Sequence, residues 1–174
     1  LKIFTDKVDL GKENMLAFSL SDASGETIAS NFQNIVLPIG VKNKYDGVYG
    51  AKIKSEGWAA YGIADGATFS WPSSGISVVT AGANTFTLIM NNFGWDFLPA
   101  FTSSGGATGF GATAGLFTFD NATNKLTNVD NTYADDGRGR DLEMNPAVTD
   151  SRYDPATKTL YLSFIMKQNG RPNQ

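Results

Sequence analysis

Ile76-Ser-Val-Val-Thr80, Ala81-Gly-Ala-Asn84 and Thr85-Phe-Thr-Leu-Ile-Met90 read in succession as strand, reversal and strand, and this reading sets the fold class. Phe86, Leu88 and Met90 alternate with Thr85, Thr87 and Ile89, the period of two that turns one side of a strand toward a core. Gly82 and Asn84 supply the conformational latitude that a tight reversal needs. Outward from this hairpin the same texture gives candidate strands over 45–55, 58–64, 75–81, 84–90, 97–102, 114–119, 124–129, 148–153 and 158–167. In the last of these Leu160, Leu162, Phe164 and Met166 face inward against Thr159, Tyr161, Ser163 and Ile165. With 19 Gly, 12% aromatic and only 18% charged residues, the composition lacks the Glu, Lys, Leu and Ala bias of helical proteins. The expected fold is all-β, an antiparallel β-barrel or β-sandwich.

Two segments share one turn chemistry. Phe119-Asp-Asn-Ala-Thr-Asn-Lys125 and Tyr153-Asp-Pro-Ala-Thr-Lys158 each place Asp after an aromatic strand end and before Ala-Thr. Each predicts a hairpin turn in which the Asp carboxylate accepts nearby backbone N–H groups, with Pro155 presetting φ in the second.

Val41-Lys-Asn-Lys-Tyr-Asp-Gly-Val-Tyr-Gly50 reads as a seam. Before it stand Leu1–Thr5, Met15–Leu20 with Leu16, Phe18 and Leu20 on one face, and the apolar run Asn34–Val41, whose Pro38 suits an edge strand. Three such strands make a poor core alone. Residues 1–41 are therefore expected to be the C-terminal part of one domain and 45–174 a second domain. Because Leu1 opens directly on a strand pattern, a preceding segment is expected, and the turn Gln168–Pro172 leads us to expect that a final partner strand is lacking.

The chain contains no His and no Cys, so the His-base proteases, thiol catalysis, disulfides and Cys-ligated zinc are all removed. A net charge of −3 with scattered Lys and Arg argues against nucleic acid. No apolar run reaches the length of about 18 residues needed to span a bilayer as a helix. Glu13, Glu26, Glu56 and Glu143 form no pair across a cleft in any sequence pattern, so no catalytic residue, metal or cofactor is expected and the protein reads as a non-enzyme. Asp135-Asp-Gly-Arg-Gly-Arg-Asp141 offers oxygen ligands but not the spacing of a Ca²⁺ loop, and reads as a solvated, internally paired loop. The glycine-rich Ser103–Gly115 lacks the Lys-Ser/Thr ending of a phosphate loop and reads as a mobile loop.

Leu1-Lys-Ile-Phe-Thr-Asp-Lys7, Ile28-Ala-Ser-Asn31, Ile39-Gly-Val-Lys-Asn-Lys-Tyr-Asp-Gly-Val-Tyr49, Phe117-Thr-Phe-Asp120 with Asn124-Lys125, Tyr153-Asp-Pro-Ala-Thr-Lys158 and Met166-Lys-Gln-Asn-Gly-Arg171 carry a family resemblance. Together they resemble surface lipoproteins of Bacteroidetes polysaccharide-utilisation loci, of the starch-utilisation E/F type. The resemblance implies that 1–41 are the last strands of an Ig-like β-sandwich and that 45–174 are a lipocalin-like β domain lacking its last strand. It also implies an outer-membrane, cell-surface location through a lipid anchor outside this sequence, with glycan-transport proteins as neighbours. No binding residue is carried over, since the shared motifs are turns and strand ends.

The candidate ligand residues come from the aromatic segments. Asn91-Asn-Phe-Gly-Trp-Asp-Phe97 combines Trp95 with Asn91, Asn92 and Asp96, and Trp58 and Trp71 lie nearby in sequence. A flat aromatic face suits the C–H face of a pyranose, while amides and a carboxylate suit its hydroxyls. Each Trp reads either as core or as ligand contact, with Trp95 furthest from core because Gly94 and Asp96 flank it. The expected function is non-catalytic binding of a polysaccharide or oligosaccharide. The alternatives are a structural or adhesion module and a lipocalin-like carrier of a small apolar ligand.

Overall fold

The computed structural model describes residue 8 and residues 14–29, 31, 33–71, 75–111 and 113–171. Residues 1–5, expected to be a strand, lie outside the described residues. The chain divides into two compact units, Leu1–Lys42 and Asn43–Gln174. The described secondary structure is all-β apart from 3₁₀ residues, among them the turn at Ala59–Tyr61.

In the first unit β1 (Asn14–Ser19) pairs antiparallel with β2 (Asn34–Ile39), setting Leu16 opposite Leu37 and Phe18 opposite Ile35. Pro38, which cannot donate to a ladder, is accommodated on β2, which has one partner strand among the described residues. A two-stranded ribbon cannot shelter both of its faces. Met15, Phe18, Ile35, Val36 and Leu37 are accordingly exposed.

The second unit is built on a five-stranded antiparallel sheet in the order β11 (Leu126–Asn131), β10 (Gly115–Phe119), β7 (Thr85–Met90), β6 (Ile76–Thr80), β3 (Gly47–Tyr49). Its register stacks apolar positions across one face: Ile76 opposite Met90, Val78 opposite Leu88, Phe86 opposite Phe117, Phe117 opposite Val129 and Phe119 opposite Leu126. All of these are buried, and the alternation read in 85–90 is the alternation observed. The Phe86 ring stacks on Phe117 at 5.4 Å and on Phe119 at 5.5 Å, and Tyr45 closes the cluster 4.9 Å from Phe119 and 5.2 Å from Tyr153. Burial pushes the Tyr45 phenol up to about 12.

Four further ribbons complete the unit: β4 (Lys52–Lys54) with β5 (Thr68–Ser70), β8 (Leu98–Phe101) with β9 (Ala107–Phe110), β12 (Asp141–Met144) with β15 (Phe164–Lys167), and β13 (Arg152–Asp154) with β14 (Thr159–Tyr161). They contribute Leu98, Phe101, Phe110, Leu142, Tyr153 and Met166 to the same core. The sheets are not closed into a barrel, because the five-stranded sheet ends at β3 and β11, which do not pair with each other. Of the two expected architectures the barrel is therefore overturned, and the fold is sandwich-like.

The seam residues fasten the central hairpin. Asn43 Nδ2 donates to the carbonyls of Gly82 and Thr85 at 3.0 and 2.8 Å, and the N–H and hydroxyl of Thr80 both donate to Asp46 Oδ2 at 3.0 and 2.9 Å. Asn43 to Asp46 thus brackets the β6–β7 reversal from outside, while the intervening Tyr45 side chain enters the core. Gly75 leads into β6 with φ +74°, and a Cβ there would lie 2.8 Å from the Tyr49 carbonyl oxygen. Only glycine permits that approach.

Three sequence expectations are corrected. Residues 58–64 form no strand: the Ala59–Tyr61 turn closes on Gly62, with φ 76°, and drives Trp58 and Ile63 inward while Ala59 and Ala60 stay outside. The glycine-rich 103–115 segment is not one loop, since it contains β9 and the start of β10. Its Gly109 is required by packing, because a Cβ would meet Met90 Cε at 3.0 Å and Phe97 Cβ at 3.1 Å. The continuous strand expected over 158–167 breaks at Leu162-Ser163, where Ser151 Oγ accepts the Ser163 N–H at 3.0 Å and the two halves take different partners.

Both predicted Asp turns form, and by one scheme. Asp120 Oδ1 accepts the N–H groups of Ala122 and Thr123 at 3.1 and 2.7 Å, and Asp154 Oδ1 accepts that of Ala156 at 2.9 Å. Asn124 and Lys158 then adopt φ of 59° and 51° to re-enter the strands. Hydrogen bonds from the Thr123 side chain and backbone hold the Asp120 carboxyl below the usual aspartate range, and the Ala156 N–H does the same for Asp154. Because the folded values are depressed, the stabilisation is complete above the unfolded pKa of about 4 and is lost as pH falls through the lower folded values. A double Asp120→Asn, Asp154→Asn variant is therefore expected to lose stability less steeply on acidification below pH of about 4 than the parent, as read from urea midpoints across pH. Parallel acid limbs in the two proteins would show that these turns do not carry the effect.

Candidate functional site

The turn after β7 organises the candidate site. The N–H groups of Phe93 and Gly94 donate to the Met90 carbonyl at 3.1 and 2.9 Å, and Met90 N–H donates to the Trp95 carbonyl at 2.7 Å. Gly94 takes φ +64°, which folds the chain back so sharply that Phe93 and Trp95 project on the same side. Their rings stack at 4.9 Å with 21° between planes, Trp95 meets Phe97 at 5.8 Å, and Phe97 meets Tyr133 at 5.3 Å. Phe93, Trp95 and Tyr133 are exposed by 36%, 46% and 39% respectively. Four rings in succession thus form a strip open to solvent.

The polar groups of the strip are held in place. Tyr133 donates its hydroxyl to Asp96 Oδ1 at 3.0 Å, which ties β11's exit to the β7–β8 turn. That hydrogen bond, with burial and the carboxylate charge adding to it, raises the Tyr133 phenol above its ordinary value, so the donor stays protonated through neutral pH. Asn91 Oδ1 accepts the Ser77 hydroxyl at 2.7 Å, and Asn92 is exposed at the tip of the turn.

The candidate residues do not form one surface. Asn91, Asn92, Trp95 and Asp96 come together on the turn, whereas Trp58 and Trp71 are exposed by only 9% and 5%. Trp58 packs against Tyr61 at 5.5 Å and Phe110 at 5.8 Å. Trp71 sits edge-on to Phe101 at 5.6 Å and to Phe93 at 6.5 Å, so it supports the strip from the core side and offers no outer face. Both are corrected from ligand platform to core. Phe93, Phe97 and Tyr133 were missing from the sequence-derived set. The alternation Phe93, Trp95, Phe97 was a usable signal for the first two, while Tyr133 lies 37 positions beyond Asp96 and only the fold brings it there.

Tyr133 also borders an open hollow of about 640 Å³ whose lining includes Asp135, Arg140, Asp141, Lys167 and Arg171. The 135–141 loop satisfies its own carboxylates: Asp135 Oδ1 accepts the N–H groups of Gly137 and Gly139 at 3.0 Å each, and Asp136 pairs with Arg138 at 3.7 Å. Compared with protein-family models, with curated proteins and with solved structures, the chain matches none.

Proposed function

We propose that this protein binds carbohydrate without transforming it, holding a polysaccharide or oligosaccharide on the Phe93–Trp95–Phe97–Tyr133 strip. The observation that carries the reading is the stacked, solvent-open pair of Phe93 and Trp95 at 4.9 Å, fixed on a tight turn and backed by Trp71. Exposed aromatic rings that are held rigidly lose little conformational entropy when a partner covers them. The C–H face of a sugar ring supplies the flat apolar partner, and Asn92 and Asp96 beside the rings supply hydrogen-bonding groups for its hydroxyls. Affinity for one sugar unit would be weak, and repeated units on a polymer would raise it by avidity.

The interior of the second unit favours this reading over an apolar carrier, since the space between its layers is filled by Tyr45, Phe86, Phe117 and Phe119, none of which has measurable exposure. The cell-surface setting and glycan-transport neighbours implied by the family resemblance complete the proposal. Its test is electrophoresis of the purified protein through gels containing a broad panel of polysaccharides. Retardation by at least one polymer is expected, and none across the panel would sink the reading.

A further inference from the structure

We infer that the hollow beyond Tyr133 is an anion-reading subsite, in which Arg140 and Arg171 take the carboxylate or sulfate of an acidic sugar whose neighbour lies on the Trp95 strip. The inference rests on the glycan reading above and specifies its substrate class. Tyr133 belongs to both the strip and the lining of the hollow, so the aromatic strip and the two arginines are adjacent through one shared residue.

Arg140 is built in, not draped on the surface. Its Nε–H donates to Gln168 Oε1 at 3.1 Å, an Nη1–H donates to the Gly111 carbonyl, and the guanidinium lies 4.9 Å above the Phe110 ring. These contacts fix the plane of the group and leave its Nη2 amino group without a protein acceptor among the described residues. A guanidinium carries five N–H donors in a fork that matches a carboxylate or sulfate edge. Arg171 stands 5.5 Å from the Tyr61 ring and forms no ion pair with a carboxylate of the described residues.

The other charged residues of the hollow have hydrogen-bond or ion-pair partners of their own. Lys167 is paired with Glu143, Asp135 Oδ1 holds the Gly137 and Gly139 N–H groups, and Asp141 Oδ1 accepts the Leu142 N–H at 2.8 Å. Arg140 and Arg171, neither of which forms an ion pair with a carboxylate of the described residues, thus share the hollow with Asp135 and Asp141, and the recognition of an anion there rests on the guanidinium donors in a chain whose net charge is −3. A generally acidic protein gives no unspecific reason to hold a polyanion, so charge selectivity would have to come from this place.

Matched polymers test the inference: polygalacturonate against its fully methyl-esterified form, and dextran sulfate against dextran, each cast in affinity gels. In at least one pair the charged member is expected to retain the protein about tenfold more tightly, with the preference shrinking as salt rises. The pair that shows it separates carboxylate from sulfate. Arg171→Gln and Arg140→Lys, each checked for a native circular dichroism spectrum, are expected to lose that preference while keeping retention by any neutral polymer that binds. Equal retention of charged and neutral members, or a preference that survives both substitutions, overturns the subsite and leaves the aromatic reading standing. Absence of retention by every polymer overturns both.

Discussion

Truncation of Phe117 to alanine is expected to lower the unfolding free energy of the second unit by about 3–5 kcal/mol. Phe117 is fully buried, stacks on Phe86 from the directly opposed position of β7, and meets Phe164 edge-on at 5.3 Å. It therefore joins the central sheet to β15, an element far away in sequence. The surrounding rings cannot collapse into the space it vacates, because Phe86 is itself fixed between Phe117, Phe119 and Tyr45. Domains of ordinary stability have about 5–15 kcal/mol in total, so the variant would be marginal or unfolded. Urea unfolding followed by tyrosine and tryptophan fluorescence measures it, with Phe117→Leu as the milder member of the series. A loss below about 1 kcal/mol for the alanine variant would mean that the ring stack is not the centre of the core.

Trp95→Ala is expected to behave differently, weakening polysaccharide retention by about 30-fold or more at a stability cost of about 1–3 kcal/mol, smaller than that of a core tryptophan. Nearly half of Trp95 faces solvent, so less burial is lost than at a core tryptophan, whereas the stacked platform on Phe93 loses its outer ring. Trp58→Ala and Trp71→Ala supply the contrast, since both residues are core and should cost about 3–5 kcal/mol in stability. Measuring gel retention and the urea midpoint on all three variants separates the roles. Retention that survives Trp95→Ala at full strength would remove the strip from the binding site.

The fold class and the central hairpin were legible because they depend on nearest neighbours in the chain. The alternation of Phe86, Leu88 and Met90 fixes which side of β7 is buried, and the Asp-x-Ala-Thr pattern at 120–123 and 154–157 fixes two turns through bonds spanning two or three residues. The elements that were missed are those whose local signal points elsewhere. Ala107–Phe110 pairs with Leu98–Phe101 although it lies within the glycine-rich 103–115 segment, and Asp141–Met144 carries two acids in four residues yet pairs with Phe164–Lys167. Their strand character comes from the partner and not from the segment.

The same division runs through the candidate site. By itself the sequence determined that Phe93, Trp95 and Phe97 alternate around a glycine, that an all-β chain would carry them on a turn, and that amide and carboxylate groups would sit beside them. Only the tertiary structure decided that Trp58 and Trp71 go inward, that Tyr133 completes the strip, and that Arg140 and Arg171 meet at one hollow. The physical reason is range: turn geometry and strand periodicity are encoded within a few residues, whereas burial of a given tryptophan and the meeting of two arginines 31 positions apart depend on how distant strands pack.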